Sequence, residues 1–174
     1  MEGAVQGDEP SNNDALPADH YRVHIAYAPL PSMDELKKKF GKNHVSFIFD
    51  GRPWKLHPSC VGMDRTPGKK IFYLHDVGRD WGDDERPIAW GLEQRNQVAP
   101  NGYRPATPEE THEFNEAHPD ELADYVGLGA FAMHGYRRYA AGVWRVGDRR
   151  IFGSRGFGRR WGRGTRILFV SKTG

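Results

Sequence analysis

The chain has a single cysteine, Cys60, among 174 residues. That excludes an intramolecular disulfide and a four-cysteine zinc site, so the fold has to be held by packing, with Cys60 expected as a buried thiol. Long hydrophobic runs are also missing. Nothing approaches the ~20 apolar residues of a membrane span. The first residues, MEGAVQGDEPSNNDALPADH, lack the basic and apolar regions of a secretion signal, which makes the cytoplasm the default expectation. The histidines His57, His75, His112, His118 and His134 follow no metal-ligand or triad spacing, so no metal, no cofactor and no catalytic residue are expected. Four acidic residues at Asp80, Asp83, Asp84 and Glu85 fit no calcium-loop pattern and read as a solvated turn.

Uniform charge is absent too. From His134 to the C-terminus, ten arginines and Lys172 face Asp148 alone, a balance of +10, which leaves −8 on the rest of a chain whose total is +2. A basic region of this kind attracts phosphates or acidic surfaces, unless the two parts neutralise each other across the fold.

What is present favours one domain. A hydrophobic content of 37% with 12% aromatics supports a ring-rich core, while 21 Gly and 12 Pro favour many turns and short helices, hence an α+β class. Residues 1–18 are small, polar and acidic and read as a flexible leader; residues 19–174 form the expected domain. Tyr21, Val23, Ile25 and Tyr27 alternate with polar neighbours as in a half-buried strand. Ser32 with Glu35 makes a capping box for a short helix that stops at Gly41. A strand is expected through Phe47 and Phe49, a turn at Asp50-Gly51, a second extended piece around Trp54 and Leu56, and a central strand at KKIFYLHDVG. The segment RDWGDDERPIAWGLEQRNQVAPNG has no period and reads as a long loop.

Thr107, Pro108 and Glu110 form a second capping box, with a helix to about Ala117 that breaks before Pro119. Another helical turn is expected from Pro119 through Glu121, Leu122 and Tyr125, and His112 with Glu113 reads as a solvated helix face. Beyond Tyr125 the pattern is β, with a two-residue hairpin turn at Gly147-Asp148. Five glycines between Gly153 and Gly164 predict an irregular loop, tethered by a buried terminal strand at RILFVS.

The segment GYRPATPEE resembles the glycine-x-arginine-(leucine)-proline-threonine-x-x-glutamate stretch of the C-type-lectin-like fold shared by formylglycine-generating enzymes and the variable proteins of diversity-generating retroelements. The run LGAFAMHGYRRYAAGVW, followed by an aromatic-glycine-arginine loop and WGRGTRILFVSK, is similar to the C-terminal variable region of such proteins. Gly102, Arg104, Thr107, Glu110, Trp161, Arg166 and Lys172 fall on that pattern, over roughly residues 101–172. Ala106 and Phe169 depart from it. The resemblance implies a C-type-lectin-like domain with a C-terminal antiparallel hairpin, a buried last strand and a diversified binding face at about 134–172. In that family, diversification acts on adenines of asparagine codons and cannot produce Lys, Glu, Gln, Met or Trp. His134 to Ser171 contains none of the first four, and Trp144 and Trp161 would then be fixed scaffold.

Three functions follow as alternatives. A non-enzymatic binding module would expose Arg145, Asp148, Arg149, Phe152, Ser154, Arg155, Phe157, Arg159, Arg160 and Arg163 toward a protein or other macromolecule with an acidic or aromatic surface. Arginine and aromatic side chains dominate interface energies. A nucleic-acid binder would use the same arginines on phosphates and the rings for base stacking. Formylglycine-type chemistry requires a cysteine pair, and one cysteine does not supply it.

Overall fold

The computed structural model describes residues 16–41, 47–78, 81–82, 100–156 and 160–173. The expected leader lies outside them up to residue 15, as do most of the long loop and its acidic residues. The described part is a mixed fold, dominated by sheet. Its strands are β1 (His20–Ile25), β2 (Lys55–Leu56), β3 (Gly68–Asp76), β4 (Trp81–Gly82), β5 (Tyr103–Pro105), β6 (Tyr125–His134), β7 (Arg137–Val146), β8 (Arg149–Gly156), β9 (Arg160–Trp161) and β10 (Arg166–Ser171). The helices are α1 (Met33–Phe40) and α2 (Pro108–Ala117).

Among the described residues one sheet of eight strands runs β1-β3-β10-β6-β7-β8, with β2 added on β6 and β5 on β10; β4 and β9 pair separately. β10 is antiparallel to β3 and parallel to β6. Its run Ile167–Val170 is buried throughout, as a strand covered on both faces requires. Side chains alternate between two layers. Leu168 and Val170 join a large core with Phe72, Leu74, Tyr125, Val143 and the helix residues Leu36 and Phe114. Ile167 and Phe169 join a smaller one with Val126, Ala140 and Trp161 on the opposite face.

Local chemistry sets the helix starts. Ser32 accepts from Glu35 N while Glu35 reaches back to Ser32 N, and Thr107 does the same with Glu110. Such reciprocal caps satisfy orphan amides of the first turn. Two hairpins share β7. Gly135-Tyr136 joins β6 to β7 and Gly147-Asp148 joins β7 to β8, each with a glycine at positive φ as the first turn residue, the arrangement that matches strand twist.

Several expectations are corrected. Phe47–Phe49 is a 3₁₀ turn rather than a strand. Residues 119–124 form no helical turn and Tyr125 opens β6, because Pro119 interrupts the helix and Arg166 N bonds Asp124 O, drawing the segment to the sheet. Gly153 and Gly156 belong to β8, where they oppose Gly142 and Tyr139; a strand accommodates glycine when its neighbours supply the packing. Glu113 is half-buried rather than a free solvated side chain: its carboxylate accepts from Ala26 N at 2.7 Å and Ala28 N at 3.0 Å, tying the exit of β1 to α2.

Candidate functional site

Arg104, Thr107 and Glu110 build a bracket with Tyr27. Arg104 and Glu110, 5% and 0% exposed, meet through two parallel hydrogen bonds of 2.8 and 2.7 Å. Glu110 also accepts from Thr107 N at 2.9 Å and from the Tyr27 hydroxyl at 2.6 Å. Burial alone would favour a neutral carboxyl, but the Arg104 guanidinium and these donors outweigh it and hold Glu110 below its ordinary range. Burial and the adjacent carboxylate push the Tyr27 phenol up, so it stays a donor. The bracket locks the start of α2 to β5, and through β5 to β10. Its neighbours approach closely. A Cβ on Gly129 would lie 2.5 Å from Ala106 O, and one on Gly127 would collide with the Thr111 hydroxyl. There β6 breaks register with β7 between Gly127 and Ala132, and Gly129 exchanges main-chain bonds with Ala106 and His57 instead.

The expected site residues do not form one patch. Arg145, Asp148 and Arg149 are exposed around the Gly147-Asp148 turn. Arg149 Nη2 donates to Lys39 O at 2.5 Å, and Asp124 accepts from Arg145 N at 3.2 Å. Ser154 and Arg155 are half-buried, and Arg155 lies six residues along β8 from Arg149, about 20 Å away. The Arg155 guanidinium sits over the Trp144 ring, 5.3 Å from its centroid. Its stem crosses Gly142, where a Cβ would approach Arg155 Cγ to 2.6 Å.

Phe152 is the clear correction. It is 1% exposed, paired with Val143 and packed on Phe49 and His112 with ring centroids 5.2 and 4.9 Å away. Ile151 beside it is buried too: this edge strand is covered on both faces, so alternation of polarity did not mark an outward side. Phe157 and Arg159 lie outside the described residues, as does the Arg160 side chain. The Arg160 backbone pairs with Gly82 in β9. Arg163 is exposed in a turn closed by Thr165 N to Gly162 O at 2.9 Å. Of the two tryptophans expected as scaffold, Trp161 is buried and Trp144 is half-buried.

Three features were not foreseen. Arg150, 9% exposed, donates Nη2 to Ala123 O at 2.5 Å and lies over the Tyr125 ring at 5.6 Å. The turn Gly135-Tyr136 carries Tyr136 at 85% exposure, with the Arg137 guanidinium over its ring at 5.8 Å. At the other end of β6 lies a cleft of about 660 Å³ lined by Asp19, Tyr21, Asp76, His118, Asp120, Glu121, Leu122 and Arg166, among others. Tyr21 donates to Glu121 at 2.6 Å and its ring packs on His118 with centroids 4.7 Å apart. Arg166 pairs with Asp19 at 3.2 Å, an ion pair that joins the basic and acidic parts of the chain. Burial works against charge on Glu121, but the Tyr21 hydroxyl and Ala123 N–H keep it ionised below its ordinary range. The sequence signal for the apex was a glycine-led pair between two alternating runs. The cleft had none, since its walls come from distant segments.

Among the described residues no group of three or more His, Cys, Asp or Glu side chains is placed to hold a metal ion, and no helix is long and apolar enough to cross a membrane. No family model, no curated protein and no solved structure matches the chain.

Proposed function

We propose that this chain is a non-enzymatic binding module, a C-type-lectin-like domain related to the variable proteins of diversity-generating retroelements, which engages a macromolecular ligand through its C-terminal hairpins. The fold reading is supported by the Arg104–Glu110 bracket at the motif positions and by the buried last strand. The functional reading rests on one observation. Arg149 and Arg150 give N–H groups to main-chain carbonyls, and Arg137 lies over an aromatic ring. Carbonyls and ring faces orient a guanidinium without cancelling its charge. The basic region therefore keeps positive charge, on rigid strands, for a ligand carboxylate or other anionic group.

The test is selection of a random-peptide phage library on the immobilised full chain. Enrichment of acidic and aromatic peptides is expected, lost when Arg145, Arg149 and Arg163 are replaced together by serine with the melting temperature unchanged. The competing nucleic-acid reading is tested by titrating a fluorescent oligouridine. Tight binding whose log–log salt slope is roughly −0.7 per phosphate neutralised, trimmed by each arginine removed, would replace the protein-ligand reading.

A further inference from the structure

The two ends of β6 carry opposite surfaces. At one end His134 pairs with Arg137, and the Gly135-Tyr136 apex projects beyond them. The apex is braced from outside the hairpin. Arg52 donates Nη1 to Met133 O at 2.7 Å and contacts His134 Nδ1 at 3.1 Å, while Asp50 holds the same guanidinium at 2.6 and 2.8 Å. A hairpin tip with no other support frays easily. This one is fixed in place, with Tyr136 and Met133 both exposed and Arg137 stacked on Tyr136.

At the other end Tyr125 pairs with Arg166, which opens the cleft. Its carboxylates, Asp19, Asp76, Asp120 and Glu121, outnumber its one arginine, and the Tyr21–His118 ring pair forms an aromatic wall. Leu122, 76% exposed, stands on its rim. Apex and cleft are thus opposite in charge and alike in carrying apolar side chains. A strand of ten residues separates them, on the order of 30 Å, so one molecule cannot join its own two ends.

We propose that the acidic cleft of one copy receives the Tyr136–Arg137 hairpin apex of a second copy. Arg137 meets Asp76 and Asp120, and the Tyr136 ring packs against Leu122 and the Tyr21–His118 wall. One apex in one cleft is a small contact, in the weak and transient class. Exposed charges make it sensitive to salt. Arg137 belongs to both readings, but Arg145, Arg149 and Arg163, whose replacement tests the ligand reading above, take no part in this contact.

Sedimentation velocity of the full chain tests it. The weight-average coefficient should rise with concentration between about 10 and 500 µM at roughly 20 mM salt, and the rise should vanish near 0.5 M salt, where the Debye length is only a few ångströms. Tyr136→Ala with Arg137→Glu, and separately Asp76→Lys with Asp120→Lys, should each abolish the rise. All four side chains are exposed, so the melting temperatures should hold. Mixed together, the two variants should restore a dimer, since one retains the cleft and the other the apex. A wild-type chain that stays monomeric over that range, association indifferent to both variants, or a mixture that stays monomeric would each overturn the proposal.

Discussion

Among the described residues two regions bury an arginine, and they treat it differently. In the bracket, Arg104 meets Glu110 through paired hydrogen bonds, and Glu110 is capped further by Thr107 and Tyr27. In the β7–β8 hairpin, Arg150 has a carbonyl and a ring. The first arrangement closes its own charge and leaves nothing for a ligand; it is architecture. The second leaves the hairpin region positive, and that is where the binding surface is proposed. Arginine content alone therefore says little about function. What surrounds each guanidinium decides.

The comparison breaks most readily at the bracket. Glu110→Ala would strand Arg104 in the interior, and removing one partner of a buried pair costs about 3–5 kcal/mol. Urea unfolding should show that loss; a cost below about 1 kcal/mol would mean the pair is not structural. Phe152→Ala should cost a similar ~3–5 kcal/mol by opening a cavity beneath the hairpin, which would separate its inner face from its outer one. Unchanged stability would return Phe152 to the surface.

Acid should act on the two regions in sequence. Burial lowers His112, beside Phe152, below its usual 6.5, and lowers His75 likewise. The unfolded chain then takes up protons first, so their contribution is complete above about pH 6.5 and is lost as pH falls through the folded values. Glu110, lowered from 4.5, contributes above that pH and fails only as pH falls through its own depressed value. Thermal melts should therefore decline in two stages, and His112→Asn should shrink the first alone. The smallest effect is reserved for Arg150→Met, expected within about 1 kcal/mol of wild type because an apolar isostere escapes the desolvation cost of a buried charge. A loss as large as that of Glu110→Ala would erase the contrast.

The bracket was legible in the sequence and the hairpin only partly. Thr107, Pro108 and Glu110 act within one helical turn, and so do Ser32 and Glu35, so spacing alone reveals them. The Gly147-Asp148 turn and the buried RILFVS strand were legible for the same reason: each has a local signature. Phe152 was not, since Ile151 and Phe152 are both apolar and only the cover from α1 and Phe49 decides that both are inside. The register break in β6 was equally hidden. Ala130 and Phe131 read as part of a continuous strand, and their true partners, Leu56 and Lys55, lie some seventy-five residues upstream. The cleft gathers Asp19, Asp76, Asp120 and Arg166 from four distant segments, beyond the reach of any periodicity.

The position of β10 has a kinetic meaning. Among the described residues, β1 and β3 on one side and β6, β7 and β8 on the other are hydrogen-bonded along the main path of the sheet only through this strand. Its partners lie far off in sequence: Arg166 pairs with Asp76 on one edge and with Tyr125 on the other. Neither half is a finished sheet until β10 closes it, so both wait on a late, long-range event and the domain belongs with the slower-folding topologies. The amides of Leu168 and Phe169 would then exchange with deuterium only when the whole domain opens, which makes them the natural clock for its global unfolding.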